Sequence, residues 1–211
     1  MDELQLDVVE PTTMTPISKV WQPPPQLVYK LNFDAAIFTN LNCSRFGTTI
    51  RNDRGEVMAA MSVKGPPVTN NEEAKALACR KALKFSIDVS FSELIIKGDN
   101  ANVMRVVCSL LSNHSLLGHI IKDVKCLTSG LQYVSVNSIR REGNKVAHVL
   151  ARNVKNTLDD MSWLEDSPPP VVDALYQDLI NIYKLKYDGL TFKKKFVVIN
   201  TLFINNNKKP K

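Results

Sequence analysis

Two aspartates of this chain lie where strand-like runs of residues end. Asp34 is in KLNFDAAIF, and Asp99 directly follows ELIIKG and precedes a helix-like segment. A strand followed by a helix exposes the side chain between them at the carboxyl edge of a sheet. Carboxylate oxygens are the ligands that a hard cation such as Mg²⁺ prefers. Structural roles also stay open, because Asp34 could hydrogen-bond nearby backbone and Asp99 could cap the helix.

The surrounding pattern predicts the elements that position these residues. Alternation and strand-forming residues from Val28 to Val63, with a turn at NDRGE, predict an antiparallel three-strand meander. NEEAKALACRKALKFSIDV has apolar residues on one face and acids in its first turn, which predicts a helix. A strand, two helices, a strand and a helix capped by Asn144 follow in ELIIKG, ANVMRVVCSLL, HIIKDVKCLTSG, YVSVNSI and KVAHVLARNVKN. The order βββαβα(α)βα predicts a mixed sheet flanked by helices.

Composition limits the class of protein. A chain of 211 residues with 44% hydrophobic content can bury one sizeable core. No apolar run is long enough to cross a bilayer, and the first twenty residues lack the order of a signal peptide. We therefore expect an intracellular protein, in the nucleus or cytoplasm, that is not secreted. The cysteines show no CxxC spacing and are predicted to be buried free thiols: Cys43, Cys79, Cys108 and Cys126.

Four segments divide the chain. Residues 1–26 are predicted to be an acidic, proline-rich linker that ends in WQPPPQ, and residues 27–158 the folded domain. Residues 159–183 read as a proline-broken connection and one further helix. Residues 184–211 contain eight lysines and one acid, which gives +7 and leaves −1 on the rest of the chain. This tail is either translated non-coding sequence from a faulty gene model or a basic nucleic-acid or nuclear-import arm.

The motifs around Asp34 and Asp99, together with AKALACRKAL and RREGNKVAHVLAR, resemble the RNase H-like domain. The resemblance is strongest to the plant version related to non-LTR retrotransposon polyproteins, and it covers roughly residues 27 to 183. It implies an α/β fold with a mixed five-stranded sheet, three antiparallel strands then two parallel, flanked by helices. In this family four acids hold two divalent ions that cut the RNA strand of an RNA:DNA hybrid. For this chain the resemblance implies Asp34 and Asp99 as ligands of Mg²⁺ or Mn²⁺, and a monomer.

Two of the four acidic positions of that family are changed here. Lys75 stands where the family has Glu in A-E-A-L-A, and His148 stands where it has Asp in N-K-V-A-D. An ammonium about 4 Å from a dication would repel it by roughly 8 kcal/mol at an effective dielectric near 20. Lys75 could therefore swing away from the site or act as an internal cation that neutralises Asp34 and Asp99 without metal, and we favour the second hypothesis. Glu72, on a neighbouring part of the helix face, is a possible substitute ligand.

Other positions have weaker interpretations. His148 could bind Mn²⁺, transfer protons, or be an ordinary polar residue near a helix N-terminus, and Ser138 stands where hydrolases of the family often place a mobile histidine. The resemblance implies that Arg141 contacts phosphate and that Asn70 and Asn71, after Thr69, contact the minor groove of a hybrid. Five further residues are predicted to lie at the solvated surface: Arg45, Arg51, Arg54, His114 and His119.

The resemblance thus implies an RNA:DNA hybrid ribonuclease, whereas Lys75 and His148 predict that this copy is impaired. The expected partner is an RNA:DNA hybrid or double-stranded RNA, with no membrane. Two alternatives stay open: a domesticated, non-catalytic nucleic-acid-binding domain, and a protein-interaction domain. Either of these could do without a divalent ion.

Overall fold

The computed structural model describes residues 20–109, 117–153 and 159–186. These residues form one six-stranded mixed sheet with the strand order β5-β4-β1-β2-β3-β6. The strands are β1 (Tyr29–Phe38), β2 (Cys43–Arg51), β3 (Val57–Gly65), β4 (Glu93–Gly98), β5 (Tyr133–Ser138) and β6 (Met161–Leu164). Strands β1 to β3 form the antiparallel meander, and β4 and β5 add in parallel beside β1. This confirms the predicted fold class.

The predicted strand count was one too low. The sixth strand, β6, pairs antiparallel with β3 in a segment that was interpreted as an irregular connection. Its four residues, MSWL, are too few to show a clear alternation, and prolines follow closely. The sheet is therefore longer on the β3 side than the sequence indicated.

Within the described residues, five α-helices cover the sheet. They are α1 (Asn71–Asp88), α2 (Ala101–Cys108), α3 (Gly118–Ser129), α4 (Lys145–Arg152) and α5 (Val172–Lys186). Helix α2 ends at Cys108 and α4 at Arg152, and residues 110–111 and 154–156 of their predicted extensions lie outside the described residues. None of the helices in the described ranges is long and apolar enough to span a membrane.

The two faces of the sheet carry different cores, because successive strand residues point to opposite sides. In β1, Leu31, Phe33 and Ala35 join the main apolar cluster with residues of α1, α2 and α3. A smaller apolar cluster lies between β3, α4 and α5. Asn32 and Asp34 alternate with the apolar residues of β1 and are buried. The strand thus presents its polar side chains to the same face as α4.

Helix α4 packs directly against the backbone of β2. A Cβ atom at Gly47 would lie 2.3 Å from both the Ala147 carbonyl oxygen and the Ala151 amide nitrogen. Such a distance is far inside van der Waals contact, so only glycine fits there. Gly47 is paired with Asp34 in the β1–β2 register. The close approach therefore brings α4 next to the part of β1 that carries this aspartate.

Four buried residues from the sheet, from α5 and from the segment before β1 form what we term the closed cluster: Trp21, Lys30, Arg51 and Asp178. Arg51 is fully buried and forms an ion pair with Asp178 at 2.6 Å. Its guanidinium carbon lies 3.6 Å from the centroid of the Trp21 ring. Through these contacts, α5 and the segment before β1 pack against the sheet.

The burial of individual side chains tests several expectations from the sequence. Arg51 and Arg45 are only 0% and 2% exposed, so their interpretation as solvated charges was wrong. Arg54 is exposed and pairs with Glu56. Trp21, within the predicted linker, is buried. Among the cysteines, Cys43 and Cys79 are buried as predicted, whereas Cys108 and Cys126 are exposed.

Candidate functional site

A polar pocket of about 400 Å³ lies at the carboxyl ends of β1 and β4, beside the start of α1 and beside α4. It brings together residues that are far apart in sequence. Its charged and titratable lining residues are Asp34, Lys75, Asp99, Arg141, His148 and Arg152. We term Asp34, Lys75, Asp99 and His148 the pocket cluster. The four positions named from the sequence as degenerate or intact acids therefore do share one site.

Lys75 lies between the two aspartates. Its Nζ atom contacts Asp34 Oδ1 and donates to Asp99 Oδ1 at 2.6 Å. The side chains of Lys75, Asp34 and Asp99 are 8%, 1% and 13% exposed. Burial lowers the pKa of Lys75, and the neighbouring Asp99 opposes this shift. The ammonium group thus occupies the space between the carboxylates and compensates their charge.

Asp34 has hydrogen-bond donors at both carboxylate oxygens. Oδ1 accepts from Lys75 and from the Ala35 amide at 2.7 Å, and Oδ2 is 2.7 Å from His148 Nδ1. A buried carboxylate is stable only when such donors satisfy its oxygens. Protein groups therefore donate hydrogen bonds to both carboxylate oxygens of Asp34.

The contacts of His148 fix its protonation state. Arg141 Nη2 lies 3.2 Å from His148 Nε2, and an arginine guanidinium can only donate. Nε2 must then be the acceptor, which places the proton on Nδ1, where it is donated to Asp34 Oδ2. Burial lowers the pKa of His148, and the positive charges of Arg141 and Arg152 lower it further. The imidazole is thus neutral, with both ring nitrogens engaged.

This arrangement does not fit a pair of magnesium ions. Two adjacent dications need several carboxylates with free oxygens, since Mg²⁺ requires near-octahedral oxygen coordination. Here both carboxylate oxygens of Asp34 already accept hydrogen bonds, and both ring nitrogens of His148 are engaged by Asp34 and Arg141. No group of three or more His, Cys, Asp or Glu side chains in residues 20–109, 117–153 and 159–186 is arranged to hold a metal ion.

Glu72 does not supply the missing oxygen. Its Oε1 accepts a hydrogen bond from Asn102 Nδ2 at 2.8 Å, and it does not line the pocket. Asn70 caps α1 by accepting from the Glu72 amide, whereas Asn71 lines the pocket. Of the two asparagines named for nucleic-acid contact, only Asn71 lies at the site.

The predicted side-chain cap by Asn144 was wrong, and the alternative role of Asp99 as a helix cap is not found. Asn100, not Asp99, caps α2 by accepting from the Val103 amide. Asn144 precedes α4 but makes no side-chain cap. Instead its Nδ2 donates to the Phe33 carbonyl and its Oδ1 accepts from Asn32 Nδ2, each at 2.9 Å. This buried amide joins the base of α4 to β1.

Sequence reasoning missed Arg152 as a lining residue. Both Arg141 and Arg152 are exposed, and neither forms an ion pair with a carboxylate within the described part of the chain. The spacing of eleven positions between them gives no local signal, because Arg141 precedes α4 and Arg152 ends it. His119 is exposed and lies outside the pocket, and His114 lies outside the described residues.

The sheet order, the helices around it and the position of the pocket define an RNase H-like domain. A family model described as reverse transcriptase-like matches residues 32–154. Since this is more than half of the sequence, the chain belongs to the reverse transcriptase-like family. No curated protein matches the chain.

Solved structures support the fold. RNase H1 from the halophilic archaeon Halobacterium salinarum is 21% identical with a TM-score of 0.54, over 59% of this chain and 94% of that one. The N-terminal RNase H domain of a Mycobacterium tuberculosis protein is 16% identical with a TM-score of 0.52, over 72% and 97%. An RNase H1 isolated from compost by a metagenomic approach is 17% identical with a TM-score of 0.51, over 59% and 93%.

Proposed function

We propose that this chain is a nucleic-acid-binding member of the reverse transcriptase-like family whose capacity for hybrid cleavage is weak or lost. Its ligand is an RNA:DNA hybrid or double-stranded RNA, and it acts as an intracellular monomer. The observation that carries the proposal is the ion pairing of Lys75 with both Asp34 and Asp99. The two carboxylates that a hydrolytic metal would need are already bound by an internal cation.

Competition between the ammonium and a metal ion decides the activity. A Mg²⁺ ion bound between Asp34 and Asp99 would have to displace Lys75, whose side chain is 8% exposed. Displacement would leave the amine near the dication, at a cost of several kcal/mol by Coulomb repulsion. Metal binding is therefore expected to be very weak in the unaltered chain.

The decisive experiment is isothermal titration calorimetry with Mg²⁺ and Mn²⁺. We expect no binding by the unaltered chain and measurable binding by Lys75→Glu/His148→Asp, which gives the pocket four carboxylates. Lys81→Glu/His119→Asp is the matched control, because both of its residues are exposed and lie outside the pocket. Tight binding by the unaltered chain would overturn the proposal.

A cleavage assay tests the same point independently. A labelled RNA:DNA hybrid is incubated with the full chain and Mg²⁺ or Mn²⁺. We expect at most slow cleavage. Rapid cleavage that is abolished by Asp34→Asn would show instead that the chain is an active ribonuclease.

A protein-interaction domain is the second candidate. Outside residues 184–211 the chain carries a net charge of only −1, which is low for a sequence-independent nucleic-acid binder. This candidate predicts no binding to hybrid or double-stranded RNA in a gel-shift assay. Binding by the full chain would exclude it as the main function.

A further inference from the structure

We propose that a groove between α1, α3 and the end of β3 binds an acidic peptide segment of another protein, in which an apolar residue lies between carboxylates. The groove, which we term the basic groove, has a volume of about 590 Å³, within the range of ligand-binding sites. It shares no lining residue with the pocket described above. The inference therefore goes beyond the proposed function and concerns a second surface of the molecule.

The rim of the basic groove is strongly positive. Four cationic side chains line it, and the carboxylate of Asp123 is the one negative charge among them: Lys64, Arg80, Lys81 and Lys84. Four positive charges and one negative charge give +3, whereas residues 1–183 as a whole carry a net charge of −1. The positive charge is thus concentrated in this groove and does not reflect a general excess, which favours an acidic ligand.

Three of these cations have no carboxylate partner. Lys64, Lys81 and Lys84 are exposed, and none of them forms an ion pair with another described residue. Lys84 follows Lys81 by three positions and Arg80 by four on α1, and like charges at these spacings repel each other. The charges therefore do not stabilise the helix, and carboxylates of a bound peptide would relieve their repulsion.

The fourth cation is held in place by the protein. Arg80 Nη1 donates to Asp123 Oδ2 at 2.8 Å, which joins α1 to α3 across the basic groove. A guanidinium group has five N–H donors, so this contact leaves several for a ligand. A guanidinium that is already oriented loses less conformational entropy when it binds a carboxylate. Arg80 is thus suited to bind a second carboxylate from a peptide.

The floor of the basic groove is apolar and favours a peptide over a nucleic acid. It is formed by Phe46, Leu77 and Leu127, which offer an apolar side chain of the ligand a surface to pack against. Single-stranded nucleic acid binds where bases stack on exposed aromatic rings, but Phe46 is only 4% exposed. Asp123 would also repel a phosphate backbone. An apolar residue flanked by acids fits both the floor and the rim.

Fluorescence anisotropy of a labelled acidic peptide with the full chain tests the inference. The peptide has about twelve residues, with leucines flanked by aspartates and glutamates. We expect saturable binding, and Lys81→Gln/Lys84→Gln should weaken it by about tenfold because two charge contacts are lost. A second peptide, with serine in place of each leucine, keeps the charge. It should bind about tenfold or more weakly than the first, because contact with the apolar floor is lost.

Lys122→Gln/Lys145→Gln is the matched control, since both lysines are exposed and lie outside the basic groove. It removes the same charge and should leave the affinity for the peptide unchanged. An equal loss in the two double variants would show that net charge alone attracts the peptide, and would overturn the inference. Equal binding of the leucine and serine peptides would overturn it as well, because the apolar floor would then have no role.

Cys126 gives an independent readout, because it is exposed and lines the basic groove, whereas Cys108 is exposed outside it. The rate at which N-ethylmaleimide alkylates each thiol is followed by mass spectrometry. The peptide should slow alkylation of Cys126 in proportion to the fraction of chain bound and leave the rate at Cys108 unchanged. Slowing at both thiols, or at neither, would contradict the assignment.

Other occupants of the basic groove give different results in the same assays. An RNA:DNA hybrid that displaces the peptide and protects Cys126 would assign the groove to nucleic acid instead. Slow alkylation of Cys126 before any peptide is added would also overturn the assignment: relief on dilution would indicate a second copy in the groove, and no relief a segment of this chain. Failure of the full chain to bind the hybrid would leave the inference standing, since the proposed function rests on the other pocket.

Discussion

The closed cluster and the pocket cluster both bury a cation against carboxylate, yet they differ in what surrounds them. In the closed cluster the Arg51 and Asp178 side chains are 0% and 4% exposed, and Trp21 covers the guanidinium. In the pocket cluster the His148 side chain is 23% exposed and lines an open pocket with two further arginines. Burial of charge alone therefore does not mark a functional site. The two clusters differ in their access to solvent, which reaches the pocket cluster but not the closed cluster.

The largest effect is expected in the closed cluster. Asp178→Ala leaves Arg51 buried without a carboxylate, which should lower the free energy of unfolding by about 3–5 kcal/mol. Urea denaturation of the full chain measures this change. The double variant Arg51→Met/Asp178→Leu removes both charges and should recover most of the loss. A single variant that changes stability by less than about 1 kcal/mol would show that the cluster is not enclosed.

Removing the pocket cation should cost less. Lys75→Met leaves Asp34 and Asp99 facing each other, and should lower the free energy of unfolding by about 1–3 kcal/mol because water can enter the pocket. Mg²⁺ should then raise the melting temperature of this variant, since any ligand of the native state stabilises it. The unaltered chain, measured in parallel by differential scanning fluorimetry, should not respond. A response of equal size in both proteins would contradict the comparison.

Lys30 gives the closed cluster a pH dependence. Burial, together with the positive charges of Lys97 and Arg51, lowers the pKa of Lys30 to about 8. The unfolded chain, with an ordinary lysine, binds more protons between pH 8 and pH 10, so stability should rise with pH in this window. Below pH 8 the destabilisation caused by burying the charged Lys30 is fully present. Lys30→Met should therefore raise the free energy of unfolding in this range by roughly 1–2 kcal/mol.

The check is urea denaturation of both proteins at pH 7 and pH 10. The difference between Lys30→Met and the unaltered chain should shrink at the higher pH. A difference that is independent of pH would indicate that lost packing, not charge, is responsible.

The smallest effect is expected at an ion pair outside both clusters. Arg54 and Glu56 are 73% and 55% exposed, and their 2.7 Å contact is surrounded by water. Arg54→Gln should change the free energy of unfolding by less than about 0.5 kcal/mol. A loss comparable to that of Asp178→Ala would remove the distinction between enclosed and exposed pairs.

The parts of the fold with local signals could be predicted from the sequence. The meander around β1, the long helix α1 and the strand β4 all have clear periodicity, and the structure has them. The residues of the pocket cluster came from the resemblance, because Asp34 and His148 are 114 positions apart and no local pattern joins them. Their chemical roles stay predictions.

The errors at Arg51 and Asn144 share one cause, which is competition from partners distant in sequence. Arg51 and Asp178 are 127 positions apart, so nothing near Arg51 indicates its burial. Asn144 has the residue type and the position of a helix cap, but its side-chain amide forms hydrogen bonds with Phe33 and Asn32 instead. Local rules describe what a residue can do, and tertiary contacts select among the options.

At Gly47 the backbone of β2 lies directly against α4, the helix that carries His148. A methyl group at this position would lie only 2.3 Å from the Ala147 carbonyl oxygen and the Ala151 amide nitrogen and would clash with both. The helix would have to lift away from the strand, and the imidazole would travel with it, away from Asp34. The distance between His148 and Asp34 therefore depends on a glycine that does not itself line the pocket.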